Sequence, residues 1–323
     1  MHPGCIALRR PALLRPPSEP NTLRMPARTP LPLPWLDRAG RLSALKLLCF
    51  LLVLAPGLYL AQGYARDALG AKPITALIHG TGDWAVRLLL ATLAVSPLRR
   101  IADWPRLINL RRMLGLAALA YALAHLVLYV VDQNVDLAKV VSEIALRIYL
   151  TIGFVALAGL VALGWTSTDS AIRRMGPAWN RLHRIVYPIA ALGLLHYFLQ
   201  SKIDVTDPVF WTGLFLLLMG WRLMHRLSAP TRPWSLLLLA LGTALLTALL
   251  EAAWYGLKSG VPAGLVLGAN LDLSGPIRPA WWVLGIGLLL PLVNAVRGRP
   301  GSRRATPRPA PGLVPARAMP QKP

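Results

Sequence analysis

The chain contains six histidines: His2, His79, His125, His183, His196 and His225. Four of them, His79, His125, His183 and His196, fall within or at the edge of long apolar runs. An ionisable side chain is costly there, and those that are retained tend to serve ion paths or cofactors. Imidazole suits a cofactor role, because histidine is a standard axial ligand to haem iron. Asp83 and Arg87 follow His79 at i+4 and i+8, so the three form one polar stripe along a helix. That stripe could meet a haem propionate, line a quinone site, or neutralise itself through an Asp83–Arg87 pair.

The runs that position these residues have the length of membrane spans. Of 323 residues, 55% are hydrophobic and 15% charged, against about 25% charged in a soluble domain. A helix needs about 20 apolar residues to cross the hydrocarbon core. Such runs occur near 43–62, 76–97, 113–131, 148–166, 182–201, 208–226, 234–256 and 280–296. They predict an all-α polytopic transmembrane bundle, with a six-span core over 43–226 and two additional helices over 227–297. Gly80 and Gly82 leave open a re-entrant loop in the second run. Residues 1–42 and 298–323 are rich in proline and arginine and read as disordered tails. The first lacks the apolar segment of a signal peptide.

Lys and Arg number 35 against 13 Asp and Glu, a net charge of +22. The excess is sided. Arg99, Arg100, Arg106, Arg111, Arg112, Arg173, Arg174, Arg181, Arg222, Arg226 and Arg232 fall in one set of loops, and the alternate set is poor in bases. The positive-inside rule then predicts that both termini are cytoplasmic. It also accounts for the basic charge through a membrane, with no nucleic-acid partner.

On this topology the third and fifth spans both run outward. His125 and His196 lie six and five residues from their outer ends, at nearly one depth, roughly 8–9 Å inside the boundary. Two imidazoles at one depth on two helices are what a six-coordinate haem needs. Ala122, Tyr121 and Ala118 stand three, four and seven positions before His125, and Gly193 stands three before His196. A helical side chain leans over the preceding turn, so small residues there leave room for a macrocycle. The other reading is helix-packing alanines and hydrogen-bonded histidines.

His183 precedes His196 by 13 residues, about 20 Å along a helix but about 140° around it. Pro188 lies between them and could kink the helix. The position matching His183 on the third span is Arg112, so a second bis-histidine haem is not supported. His183 is left as a one-sided haem ligand, a flavin or quinone contact, or an interface residue. Cys5 and Cys49 form no disulfide or metal pattern. There is no internal repeat of solenoid type. The chain also lacks GxGxxG after a strand, Walker A, HExxH and GxSxG motifs. If the chain carries electrons, they must enter from a partner or from membrane quinol.

Several segments are similar to one family. Arg111-Arg112-Met113-Leu114-Gly115-Leu116 with Ala124-His125-Leu126 resembles the third span of the MsrQ (formerly YedZ) haem-binding subunits. So do Thr166-Ser167-Thr168, the run from Trp179 to Tyr187, and Leu195-His196-Tyr197. Leu89 to Leu93 with Pro97-Leu98, and His79 with Gly82, also match. The likeness covers about residues 43–226, within the wider ferric-reductase-like transmembrane family.

The resemblance implies a bacterial inner-membrane protein holding haem b, with iron ligated from among His125, His183 and His196. It further implies FMN, electrons drawn from the quinone pool, and delivery to a periplasmic molybdopterin-containing methionine sulfoxide reductase, MsrP. In that role the chain is an electron-transfer subunit rather than the catalytic one. His79, Asp83 and Arg87 are the candidates for contact with a cofactor. The alternatives are a stand-alone ferric or cytochrome b561-like reductase, and a transporter without cofactor. Residues 234–296 depart from the family pattern, and no residue marks an FMN site.

Overall fold

The computed structural model describes residues 33–297, apart from 38, 203 and 229–231, and gives no side-chain account of 294–297. The predicted tails over 1–32 and 298–323 lie outside the described residues. Residues 33–37 and 39–42, read from the sequence as part of the tail, carry turns. Leu36 pairs with Leu42 in an isolated bridge, and the Asp37 carboxylate accepts from the amides of Ala39 and Arg41 at 2.8 and 2.9 Å.

The chain then forms helices α1 (Ala44–Ala65), α2 (Pro73–Ile101), α3 (Arg111–Asp132), α4 (Leu137–Leu146), α5 (Ile148–Trp165), α6 (Asp169–Met175), α7 (Pro177–His183), α8 (Val186–Gln200), α9 (Thr206–Arg226), α10 (Pro233–Ser259), α11 (Ala263–Leu271) and α12 (Pro279–Arg297). The fold is an all-α polytopic bundle. Among the described residues, α1, α3, α5, the α7–α8 pair and α10 are long and apolar enough to cross a membrane, and α12 is a shorter apolar helix. Helices α2 and α9 are 29 and 21 residues long, and both carry charge. Helix α2 runs unbroken through Gly80 and Gly82, so the re-entrant loop is not formed.

The centre is built by α2, α3, α5 and α8. Leu88, Leu89, Leu93, Ala118, Ala156, Leu160, Ile189 and Ala190 are buried together between them. Outside this core the helices expose leucine and valine broadly, as lipid-facing surfaces do.

Two prolines shape the helices in different ways. Pro56 sits inside α1. One residue on, the Tyr121 hydroxyl from α3 accepts from the Gly57 amide at 2.7 Å and donates to the Val53 carbonyl at 2.8 Å. A phenol oxygen thus stands in the α1 hydrogen-bond ladder where an i→i−4 bond would close. Gly57 is required there, since a Cβ would come within 3.0 Å of that oxygen.

Pro188 acts by restarting a helix. The predicted span over 182–201 is interrupted between His183 and Val186, and Pro188 is the third residue of α8. It cannot donate to the Arg184 carbonyl, which accepts from Tyr187 at 3.2 Å instead. Arg184 and Ile185 likewise bond three residues back. The expected kink at Pro188 is therefore a tight break just before it.

Helix α9 packs on α2 and α8, and also on α10 and α12. Short α11 lies between these last two, where the sequence predicted only two helices. Glu251 of α10 is fully buried. It accepts from Asn270 of α11 at 2.9 Å and from Arg278 at 3.2 Å, while Trp281 of α12 donates to the Asn270 carbonyl at 2.6 Å. Asp204, in the loop before α9, has its carboxyl held below the ordinary range by the hydroxyl and amide of Thr206.

Candidate functional site

His125 of α3 and His196 of α8 face each other across the centre of the bundle. Their ring centres are 6.2 Å apart and their planes cross at 87°. Each ring is tied to a second helix. His125 Nδ1 donates to the Ile78 carbonyl of α2 at 2.7 Å, and His196 Nδ1 donates to the Tyr149 carbonyl of α5 at 2.8 Å. A carbonyl can only accept, so each Nδ1 carries a proton, and in the neutral ring each Nε2 keeps a lone pair, the state of a metal-ligating imidazole.

Glycine allows each ring to approach so closely. A Cβ on Gly82 would lie 2.9 Å from His125 Nδ1, and one on Gly153 would lie 2.7 Å from His196 Nδ1. The two arrangements are copies. Each histidine lies 47 residues after its carbonyl and 43 after its glycine, and 71 residues separate the copies throughout. The pairs α2–α3 and α5–α8 are thus one hairpin used twice. This repeat was legible at Gly82, Gly153, His125 and His196, and a search for solenoid periods misses it.

Both rings line a cavity between α2, α3, α5 and α8. Its walls are Val86, Leu89, Ala156, Leu157, Leu160 and Ile189, with Ala122 and Gly193 at the small positions expected from the sequence. Tyr121 is not among them, because its hydroxyl is committed to α1. Ala118 is buried in the packing core. His79, Asp83, Tyr129, Tyr197 and Gln200 add polar groups to the lining. Ile144 of amphipathic α4 also lines the cavity, and Tyr129 donates to Glu143 of the same helix at 2.7 Å.

The polar stripe divides. His79 and Asp83 line the cavity, and Arg87 does not. Arg87 lies 3.9 Å from Asp83 and 3.9 Å from Asp207 of α9, with its guanidinium over the rings of Trp84 and Trp211 at 5.0 and 5.5 Å. Its Nε is buried without a partner. Tyr197, next to His196, donates to the same Asp207 carboxylate at 3.4 Å.

His183 stands apart from the pair, near the arginine-rich end. Its ring stacks on Trp179 with centres 3.8 Å apart, and its Nδ1 donates to the Trp179 carbonyl at 3.2 Å. Its Nε2 is buried without a partner. Arg112, at the position expected for a counterpart, pairs with Asp169 at 2.5 Å.

The donor set has a definite chemistry. Among the described residues no three His, Cys, Asp or Glu side chains group to hold a bare metal ion. Two opposed imidazoles suit a metal that brings its equatorial ligands in a flat ring. A metal–imidazole bond of about 2.0–2.1 Å, with about 1.1 Å from Nε2 to the ring centre, puts two axial rings about 6.3 Å apart. The observed 6.2 Å fits that requirement.

The fold and the paired histidines define a ferric-reductase-like transmembrane component, and the family model of that description matches residues 81–194. Over 197 residues the chain is 42% identical to the protein-methionine-sulfoxide reductase heme-binding subunit MsrQ of Azospira oryzae, covering 60% of this chain and 84% of that protein. Over 164 residues it is 46% identical to the protein of the same name from Xanthomonas campestris pv. campestris, covering 50% of this chain and 75% of that protein. The counterpart in Xanthomonas axonopodis pv. citri is 43% identical over the same length. The chain belongs to the MsrQ family. No solved structure matches it.

Proposed function

We propose that the chain is the haem b subunit of a protein-methionine-sulfoxide reductase system. In this reading it carries electrons from membrane quinol to a periplasmic molybdopterin-containing partner, MsrP, and is not itself the catalytic subunit. It resides in the bacterial inner membrane with both termini in the cytoplasm, as the sided arginines suggest. The observation that carries the reading is the opposed pair His125 and His196, each with a free Nε2 lone pair on one cavity. The relatives' names point the same way.

Haem b, when bound, supplies a one-electron carrier. The residues of the chain do the rest. His125 and His196 would hold the iron, with the carbonyls of Ile78 and Tyr149 fixing their tautomers. Val86, Leu89, Ala156, Leu160 and Ile189 exclude water from the ring faces. His79 and Asp83, which line the cavity, would meet the cofactor, and Arg87 beside Asp83 would supply positive charge. His183, with its unpartnered Nε2, is a third ligand candidate at the opposite end. FMN is carried in this reading on the resemblance alone.

The test is spectroscopic and then kinetic. Purified protein should show a haem b Soret band, become reduced by a quinol analogue, and be reoxidised by MsrP with methionine sulfoxide. Absence of haem would overturn the reading. Haem that reduces ferric chelates and ignores MsrP would favour a stand-alone reductase.

A further inference from the structure

The two hairpins hold their histidines by the same means yet present them at right angles. Rings free to turn would take whatever orientation the macrocycle preferred, and these rings are not free. His125 is held by the Ile78 carbonyl on one edge, and His196 by that of Tyr149. Against each ring lies a glycine whose missing side chain leaves no slack. A Cβ on Gly153 would meet Nδ1, Cε1 and Cγ of His196 at 2.7, 2.8 and 3.0 Å. One on Gly82 would meet Nδ1 and Cε1 of His125 at 2.9 and 3.1 Å.

We infer that Gly82 and Gly153, with the carbonyls of Ile78 and Tyr149, are positioning elements that lock the two axial imidazole planes perpendicular to each other. The inference rests on the haem reading above.

Its consequence is electronic. In low-spin ferric haem the unpaired electron occupies one of two d orbitals that can accept π density from the axial rings. Parallel imidazoles raise the same orbital and separate the pair. Perpendicular imidazoles raise one orbital each, so the two stay nearly degenerate and orbital angular momentum survives. Perpendicular planes therefore produce a highly anisotropic paramagnetic resonance signal with one large low-field g value. Parallel planes produce a rhombic signal with all three g values resolved. Residues that touch imidazole and not iron thus set a property of the iron.

The experiment is electron paramagnetic resonance of the full-length ferric protein in detergent. The wild type should show the large-g signal. A rhombic low-spin signal would overturn the inference and leave the haem reading standing, whereas absence of haem would overturn the haem reading itself. Gly153→Ala should tilt the His196 ring, shift the signal toward rhombic and weaken haem retention about tenfold. Gly242→Ala, on α10 with open space around its Cβ position, should leave the signal unchanged.

Should Gly153→Ala fail to fold, His196→Gly supplemented with free imidazole answers the same question. The added ring reaches the iron without the Tyr149 carbonyl or the Gly153 cradle. Restored haem with a rhombic signal supports the inference, and restored haem with the large-g signal overturns it.

Discussion

His125 and His196 each donate through Nδ1, which leaves a ligand lone pair on Nε2. In the proposed haem site, removing one ring would leave the iron a single strong axial bond. Either His125→Ala or His196→Ala should therefore deplete haem or turn the remainder high-spin, measured by the Soret band of purified protein. Wild-type haem content and spectra in both variants would exclude the pair. His183→Ala tests cofactor number: loss of about half the haem means a second site, since histidine can hold iron from one side. The histidines were legible because a charged or polar side chain in an apolar run stands out. Their acceptors were not, since the carbonyls of Ile78 and Tyr149 leave no mark on residue type. Arg87 was read into the stripe by helical spacing, and its capture by Asp207 needed the position of α9.

The helices show which parts of the fold local patterns dictate. Long apolar runs become helices at every predicted span, because lipid leaves no partner for an open backbone. What local patterns miss is contact between helices. Tyr121 was taken for a neighbour of the cofactor, and its hydroxyl instead bridges Val53 and Gly57 of α1. Tyr121→Phe would leave that amide and carbonyl without their bridge, at a cost of about 1–3 kcal/mol. The expected result is a lower midpoint in thermal unfolding with haem content unchanged. The break before Pro188 was legible as a proline and misplaced by a few residues, because the helix ends where Arg184 loses its usual donor.

For the whole molecule, arginine sidedness predicts the orientation of the bundle, and a buried carboxylate joins α10 to Asn270 and Arg278. Reporter fusions after Lys139 and after Ser259 should both read as periplasmic, and a cytoplasmic signal at either would break the proposed topology. Glu251 is buried and its carboxylate is met by Arg278 and Asn270. Arg278→Ala strands that charge and should destabilise the α10–α12 unit by about 3 kcal/mol. Adding Glu251→Gln should recover much of the loss in a thermal-unfolding comparison, because no uncompensated charge then remains. The family match stops before these helices, so the spans were legible here while the polar junction between them was not.

The repeated hairpin makes the cavity the property of neither half. Two tandem copies, each giving one histidine, are the arrangement of a homodimer with its subunits joined in one chain. A fused pair can do what identical subunits cannot, which is to let its two members drift apart. One end of the bundle shows the likeness in His125 and His196. At the other end the equivalent positions now hold Arg112, bound to Asp169, and His183, stacked on Trp179. The bundle is therefore alike at one end and unlike at the other, and the repeated hairpin has a direction that its spacing alone does not give it.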